Sequence, residues 1–396
     1  MDKIYYFEWK RGCDMPVFSF TSSFTLDSII PTFKHTINLS RVKTVAQPRL
    51  VLQTNIEVVA ETQFKIRPQR LYHVPLLKSA LQKCVRRQKS QSAVRIAYQL
   101  IFQDINAFIR RLPVIMMEDA VLHRCFPKVV WWMIAISKGW KMSWENIVEL
   151  LKIVYIISES PYHDHIPSFK DDKSLIDPFG HFLDFLLEEV KIHEVFRTQI
   201  GSLILRALYG GMKGDVLFLY AFAERWCERF TFTWWSEIWE PYIRTDTTID
   251  IETLLASSRF DLLDEDKISE AIDFHCFPQM IKDVHHVFPH FSHDDIKSSI
   301  WYHRSGVYTK IYICKPEQYI KPQIDDNSKS VEEYSHIWNE IEKYVEDIAD
   351  KISERKIGWL GSPLIKINKI TNYFPRGNEH IKYCIQNVLD NREKDL

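Results

Sequence analysis

The histidines are the residues of this sequence whose types and spacing come closest to a catalytic pattern. Six of the 15 histidines fall between residues 273 and 303, with four aspartates interleaved among them. Imidazole and carboxylate groups together can hold a divalent metal that activates water, which is the chemistry of a hydrolase. The histidine window consists of His275, His285, His286, His290, His293 and His303, with Asp273, Asp283, Asp294 and Asp295.

The spacing inside the histidine window favours a non-catalytic interpretation. His286 and His290 are four residues apart and would share a helical face, but Pro289 between them interrupts a continuous helix. No spacing in the window matches a defined metal motif. The His-Asp-His sequence at 163–165 is a similar case and is typical of a loop surface. We therefore predict solvated histidines, no bound metal and no cofactor, and keep a metal-dependent hydrolase using the window 273–303 as the third hypothesis.

The glycines exclude the familiar nucleotide-binding loops. Only 11 glycines are present, and no stretch has the phosphate-loop, dinucleotide or nucleophile-elbow pattern; H-E-x-x-H is absent as well. Gly210, Gly211 and Gly214 follow a predicted helix rather than a strand, and no serine or threonine follows Lys213. Because no loop is built to cradle phosphate groups, we predict no ATPase activity and no catalytic residues.

The charged residues are distributed unevenly along the chain. Residues 1–111 hold 18 lysines and arginines against 7 aspartates and glutamates, a balance of +11, whereas residues 112–396 hold 33 against 45, a balance of −12. Such asymmetry points to an anionic partner for the basic part. The alternative is that the two parts neutralise each other across an internal interface.

A nucleic acid is the anionic partner that this pattern favours. Lysines and arginines on one face neutralise phosphates and release counterions, so that binding weakens steeply with salt. Tyr72, His73 and Tyr98 would add base stacking if the partner were single-stranded. DNA and RNA are not distinguished. The predicted phosphate contacts are Arg67, Arg70, Lys83, Arg86, Arg87, Lys89 and Arg95.

The elements that would position these residues change character along the chain. Residues 1–75 are predicted to form a β-rich basic domain, because apolar and polar residues alternate from Leu50 to Ile66. Residues 76–215 have helical periodicity and are predicted to form a helical domain, with separate helices at Ser92–Ile101 and Ile105–Met116 and a buried core helix at Glu145–Ile157. The predicted fold class is α+β, mainly α.

Residues 216–396 are predicted to form a third domain, mixed but mainly helical. Ile300–Ile313 has the pattern of a hairpin that turns at Ser305 and Gly306. Ser330–Arg355 begins with a capping box and is predicted to be one long helix. Its apolar residues follow a 3-4 spacing, which is typical either of a coiled-coil seam or of a helix on the protein's own core: Val331, Tyr334, Trp338, Ile341, Val345, Ile348 and Ile352. A protein–protein scaffold or adaptor that uses this helix is the second hypothesis.

The segment from Leu77 to Pro127 resembles the C-terminal helical region of replication-associated recombination ATPases, which are relatives of clamp loaders. In that family the region packs into an oligomerisation collar beside DNA-handling machinery. Here some 75 residues of β-rich sequence replace the ATPase core that precedes the region, so the resemblance implies a helical module of replication, recombination or repair without nucleotide chemistry. It rests on Leu77, Leu81, Arg86, Ala93, Ala97, Leu100, Arg110, Arg111, Leu112, Ile115, Glu118, Asp119, Leu122 and Pro127.

The residues of the resemblance have a structural alternative. Arg110, Arg111, Glu118 and Asp119 could form ion pairs between adjacent helices instead of serving a partner.

The cysteines and the hydropathy pattern bear on location. The seven cysteines are far apart and form no C-x-x-C pair, and the N-terminus has charges where a signal peptide would be apolar. No apolar run approaches the length that spans a bilayer. We therefore expect an intracellular protein, cytoplasmic or nuclear, with no membrane partner. The leading hypothesis is a non-catalytic nucleic-acid-associated accessory protein that also has a possible protein partner.

Overall fold

The computed structural model describes most of the chain in eleven ranges and a few single residues. The ranges are 4–20, 30–39, 49–68, 74–164, 194–210, 213–231, 249–256, 279–305, 309–313 and 331–359, together with residues 239–240, and the single residues are 72 and 243. Helices dominate these residues and a small sheet accompanies them, so the predicted class, α+β and mainly α, is confirmed.

The chain divides into two compact units. The first consists of residues Met1–Val74, Cys84–Leu262 and Thr309–Gln318, and the second of Pro75–Lys83, Leu263–Tyr308 and Tyr319–Leu396. These units do not coincide with the predicted domains 1–75, 76–215 and 216–396.

A four-stranded mixed sheet begins the first unit. Its strands are β1 (Ile4–Trp9), β2 (Val17–Phe20), β3 (Phe33–Asn38) and β4 (Arg49–Thr54), in the spatial order β2-β1-β4-β3. The two central strands run parallel, and each edge strand is antiparallel to its neighbour. The inner face is apolar and buried, and consists chiefly of Tyr5, Phe7, Trp9, Phe18, Leu50 and Leu52.

The inner face of the sheet packs against helices of the same unit. Trp131 donates its indole N–H to the Phe7 carbonyl at 3.2 Å, and its ring lies edge-on to Trp9 at 5.4 Å between centroids. A Cβ at Gly201 would lie 2.3 Å from the Phe18 ring, so only glycine allows this close approach of helix and sheet. The β-rich segment is therefore not a separate domain, because its core is shared with helices that come much later in the chain.

The alternation of apolar and polar residues from Leu50 to Ile66 covers the end of a strand and an irregular segment that follows it. Strand β4 ends at Thr54, where the Thr32 N–H donates to the Thr54 carbonyl at 2.9 Å. Residues 55–68 are irregular, and Phe64 packs edge-on against Phe102 at 5.0 Å. In an irregular segment that lies on a helix, every second side chain can be buried, as in a strand. The alternating pattern alone therefore predicted a longer strand than the structure contains.

The helices of the first unit follow the sheet. They are α1 (Val74–Arg86), of which the last turn belongs to this unit, α2 (Ser90–Glu118), α3 (Phe126–Ser137), α4 (Trp144–Glu159), α5 (Glu194–Leu208), α6 (Lys213–Thr231) and α7 (Ile251–Ala256). Helix α4 agrees with the predicted core helix: its N-cap Ser143 accepts from the Asn146 N–H, and most of its apolar residues are buried.

Helix α2 joins the two helices that were predicted at Ser92–Ile101 and Ile105–Met116. Asp104 leaves the helical conformation, with φ −154° and ψ 84°, and its carboxylate accepts from the Ala107 N–H at 2.9 Å. The side chain thus caps the second half of α2, so the predicted break survives as a kink at this residue.

The second unit contains α8 (His293–Ile300), a π-helical turn (Trp301–Ser305) and α9 (Val331–Trp359). The predicted hairpin at Ile300–Ile313 is wrong, because residues up to Ser305 are helical. Its second half, β6 (Ile311–Tyr312), lies in the first unit and pairs in parallel with β5 (Tyr162–His163). The local pattern could not identify this distant partner. The predicted long C-terminal helix is confirmed.

Candidate functional site

Six of the seven cations predicted to contact phosphate lie in the described part of the chain, and they occupy two different environments. Arg86 and Lys83 have relative exposures of 0% and 1%, so neither lies where a phosphate could reach it. The two residues are one turn apart on the same side of α1, which is why they are buried together. Arg67 is exposed, and Arg70 is outside the described residues. The remaining three, Arg87, Lys89 and Arg95, are partly exposed.

Two of the three aromatic residues predicted to stack on bases, Tyr72 and Tyr98, are not available for stacking. Tyr98 is fully buried and donates its hydroxyl to the Ile66 carbonyl. Tyr72 is 5% exposed, and its carbonyl accepts from the Gln103 side chain at 3.0 Å. His73 is outside the described residues.

Arg86 is the first member of a buried charge cluster, which we define as Arg86, Asp119, His163, Asp164, Arg229 and Lys310. The Arg86 Nε–H donates to Asp119 Oδ1 at 2.6 Å, and both side chains are inaccessible to solvent. Its Nη2 lies 3.5 Å from the Glu118 carboxylate. The arginine that ends α1 is therefore held by the pair of acids that ends α2.

A second ion pair of the buried charge cluster joins β5 to α6. Arg229 donates from both terminal nitrogens to the Asp164 carboxylate, at 2.6 and 3.1 Å, and its guanidinium also lies 4.6 Å from the Trp226 ring centre. The Asp164 N–H donates to the Ala120 carbonyl at 3.0 Å. This backbone bond places the second ion pair beside the first, because Ala120 directly follows Asp119.

Lys310 brings a late segment of the chain into the buried charge cluster. Its ammonium group donates to the Ile157 carbonyl at 2.5 Å, and the side chain is 5% exposed. The backbone on either side is fixed as well, because the N–H groups of Ile311 and Ile313 donate to the carbonyls of Pro161 and His163 at 2.7 and 3.0 Å. Residues 309–313, which we term the strap, thus dock onto α4 and β5.

Burial dominates the electrostatics of this cluster. Desolvation lowers the pKa of Lys310 to about 7, although the carboxylates of Asp119 and Glu159 oppose that change. Desolvation also lowers the pKa of His163 to about 4, against the attraction of Asp119. His163 is therefore neutral at physiological pH. The arrangement pairs its charges internally, and this is the chemistry of a polar core rather than of a substrate site.

Arg111, Glu118 and Asp119 form ion pairs between helices, as the structural alternative predicted. Arg111 lies 3.6 Å from Glu118 and 3.8 Å from Asp215 of α6. Glu118 also contacts Arg86, so α1, α2 and α6 share one ion-pair lattice. The sequence indicated this lattice as an alternative, but it gave no sign of Lys310, because nothing near residue 310 indicates a partner at residue 157.

The histidine window forms no metal site within the residues that the structure describes. The His285 Nδ1–H donates to the Phe291 carbonyl at 2.9 Å, and His290 lies 3.3 Å from Glu340. His303 stacks on Trp338 at 5.2 Å between ring centres. His275 and His165 are outside the described ranges. The rings of His285 and His293 lie 4.1 Å apart between centres, but no group of three or more potential ligands forms around them in the described part of the chain. The described residues therefore give the hydrolase hypothesis no metal site to use.

The seam of the C-terminal helix faces its own unit. Trp338, Ile341, Val345 and Ile348 are all buried, and Ser299 of α8 donates its hydroxyl to the Tyr334 carbonyl at 3.0 Å. Helix α8 packs along α9. The 3-4 spacing is therefore explained by packing within the second unit, and the scaffold hypothesis loses the feature on which it rested.

Comparisons with known proteins add no identity. No protein-family model, no curated protein and no solved structure matches this chain. Among the helices in the described ranges, none combines the length and the apolar character needed to cross a bilayer.

Proposed function

We propose that this protein is a nucleic-acid-associated accessory protein that binds phosphate groups through accessible cations of its basic N-terminal part. The observation that supports the proposal most is the accessibility of Arg67, Arg87, Lys89 and Arg95, in the same part of the chain that carries the +11 balance. Arg86 and Lys83 are left out of the proposed interface because they are buried.

The alternative of internal neutralisation accounts for part of the charge asymmetry. Lys65 lies 3.4 Å from Glu252, and Arg86 and Arg111 join the lattice around Glu118. By contrast, Arg67 and Lys34 are exposed and make no ion pair among the described residues. Exposed cations of this kind supply the salt-dependent, sequence-independent part of nucleic-acid affinity.

The resemblance of residues 77–127 to the helical collar of recombination ATPases agrees with this proposal. The segment is built from α1, α2 and the start of α3, and four of its residues, Arg86, Arg111, Glu118 and Asp119, belong to the ion-pair lattice. We propose that it supports the accessible cations as a rigid helical module in replication, recombination or repair, and that it performs no chemistry.

A salt titration tests the proposed function. The full-length chain is titrated against labelled duplex and single-stranded DNA and RNA between about 50 and 200 mM salt. Arg67→Gln with Arg95→Gln is expected to lower the slope of log affinity against log salt by about 0.9 for each duplex phosphate that the variant no longer neutralises. Lys282→Gln with Lys297→Gln removes the same charge from exposed positions of the second unit and is the matched control.

Two results would overturn the proposed function. One is the absence of measurable binding to any of the four nucleic acids at the lowest salt. The other is an equal decrease of slope in the control and the test variant, because binding would then depend on net charge and not on these arginines.

A further inference from the structure

The solvent side of the four-stranded sheet differs from its apolar inner face, and we propose that it binds single-stranded nucleic acid. This inference rests on the proposed function and names its substrate class. We define the outer sheet face by the side chains that alternate with the inner ones along the strands. They form three rows across the sheet: Val17, Glu8, Gln53 and Lys34; Ser19, Tyr6, Val51 and Thr36; Ile4, Arg49 and Asn38.

The charge of the outer sheet face suits a polyanion. Lys34 and Arg49 are its cations, and Glu8 is its one acid among the described residues. Glu8 accepts from the Gln53 side chain at 3.1 Å, and Lys10 lies 3.4 Å from its other oxygen. The carboxylate is thereby neutralised within the sheet, so it opposes a phosphate less than an isolated acid would.

Tyr6 provides an aromatic surface at the centre of the outer sheet face. It lies on the central strand β1, between Val51 of β4, which is 7% exposed, and Ser19 of β2, and Tyr6 itself is partly exposed. A ring that packs partly on its neighbours keeps a fixed orientation and can still receive a base. Base–aromatic stacking tolerates any sequence, because every base has a π-face.

The rows place cations on both sides of this aromatic residue. Lys34 belongs to the row on one side of Tyr6 and Arg49 to the row on the other, and each row is about 6–7 Å from that of Tyr6 along the strand direction. Arg49 lies on the neighbouring strand β4, and Lys34 lies one strand further across, on β3. A base on Tyr6 would therefore have cations near the phosphates that precede and follow it. Thr36 and Asn38 add exposed hydrogen-bonding groups along β3.

The geometry favours a single strand over a duplex or a protein partner. Sheet surfaces that bind single strands read splayed bases by stacking, whereas the bases of a duplex are stacked on each other. Four side chains of the face are exposed, and three of them, Lys34, Thr36 and Asn38, are polar and lie along the edge strand, with Val17 as the apolar one. The core of a protein interface is more apolar than this.

The experiment compares single-stranded with duplex oligonucleotides on the full-length protein by fluorescence anisotropy. Tyr6→Leu keeps an apolar body in place and removes the ring, and is expected to weaken single-strand binding about five- to one-hundred-fold. Lys34→Gln, at an exposed site where folding is not at risk, is expected to lower the single-strand salt slope by about 0.7. Tyr302→Leu, at a tyrosine 47% exposed in the second unit, is the control and leaves affinity unchanged.

The outcomes separate this inference from the proposed function. If the wild type binds no nucleic acid, both fail. If it binds, but Tyr6→Leu and Lys34→Gln behave like the control with an unchanged melting temperature, the inference is overturned and the proposed function stands. Equal affinity for duplex and single strand also overturns the inference. Weaker single-strand binding in both variants supports it.

Discussion

The buried charge cluster and the outer sheet face each contain a cation from the basic part of the chain, Arg86 and Lys34, and the two cations serve opposite purposes. In the cluster, Arg86 is completely enclosed and its charge is balanced by Asp119 at 2.6 Å. On the sheet, Lys34 is exposed and has no acid paired with it in the described residues. A cation of the first kind contributes to stability, and one of the second kind remains available to a ligand.

This difference teaches that the net charge of a segment overestimates the charge that a partner can reach. The balance of +11 in residues 1–111 includes Arg86 and Arg111, whose charges are neutralised by Glu118 and its neighbours. Mutations in the cluster should therefore change unfolding and leave binding unaltered, and mutations on the sheet should do the reverse. Substitutions in both regions test that separation, from the largest expected effect to the smallest.

The largest effect is expected at Arg86. Arg86→Met leaves the Asp119 carboxylate buried without its cation, and should lower the free energy of unfolding by about 3–5 kcal/mol. Urea unfolding of the variant and the wild type measures the change. Combining Arg86→Met with Asp119→Leu should recover much of the stability, because the double variant buries no unpaired charge. Arg67→Met, at an exposed site, is the control and should stay within about 0.5 kcal/mol of the wild type.

The second effect concerns Lys310 and pH. Burial lowers its pKa from 10.5 to about 7 in the folded protein. Between these values the unfolded state binds more protons, so the Lys310 contribution to the free energy of unfolding rises with pH in this window and is lost as pH falls to about 7. Lys310→Met removes this contribution. The stability difference between wild type and variant should therefore change by roughly a few kcal/mol between about pH 7 and pH 10.

Urea unfolding at several pH values checks the Lys310 prediction. Lys282→Met, at an exposed position, is the matched control and should follow the wild type at every pH. A wild-type-minus-variant difference that does not vary with pH would show that the Lys310 amine has an ordinary pKa, and hence that the strap leaves it in water.

The third prediction compares one lysine of the buried charge cluster with one lysine of the outer sheet face. Lys310→Met and Lys34→Gln each remove one lysine amine, the first from the buried charge cluster and the second from the outer sheet face. At a temperature where both variants are folded, only Lys34→Gln should lower the salt slope of nucleic-acid binding, by about 0.7 on a single strand. Equal salt slopes for the two variants would contradict the prediction that only the outer sheet face contributes to binding.

The smallest effect is expected at an exposed charged pair of the second unit. His290 lies 3.3 Å from Glu340, and both side chains are accessible. His290→Ala should change the free energy of unfolding by less than about 0.5 kcal/mol, because exposed pairs of this kind are screened by water and salt. Thermal unfolding measures it. A decrease of several kcal/mol in the free energy of unfolding would mean that this exposed pair contributes as much to stability as the buried charge cluster does.

The sequence predicted those features that depend on neighbouring residues. The break near Asp104, the core helix α4 and the long C-terminal helix follow from local periodicity and capping, and all three are present. The predicted hairpin failed because β6 pairs with β5, which lies almost 150 residues earlier. Local patterns contain no information about such a pairing.

The features of the candidate site also divide into those that local sequence could predict and those that it could not. Arg86 and Arg87 are adjacent and chemically identical, yet one is enclosed and the other is partly exposed. What separates them is an acid 33 residues away, which the helical face of Arg86 meets only after α1 and α2 have packed. Tyr6 could have been found earlier, since alternation along β1 places it opposite the aromatic residues of the inner face.

The strap also affects how the protein is made. Residues 309–313 complete the first unit, but the ribosome synthesises them after residues 263–308, which belong to the second. Domains generally fold in order as they leave the ribosome. Here the backbone carbonyls of Ile157, Pro161 and His163 accept hydrogen bonds from the strap, so these bonds form only after the strap has left the ribosome. We therefore expect a nascent or truncated chain that stops before residue 309 to leave the edge of β5 that pairs with β6 without its partner strand, and to be cleaved by proteases faster than the finished protein.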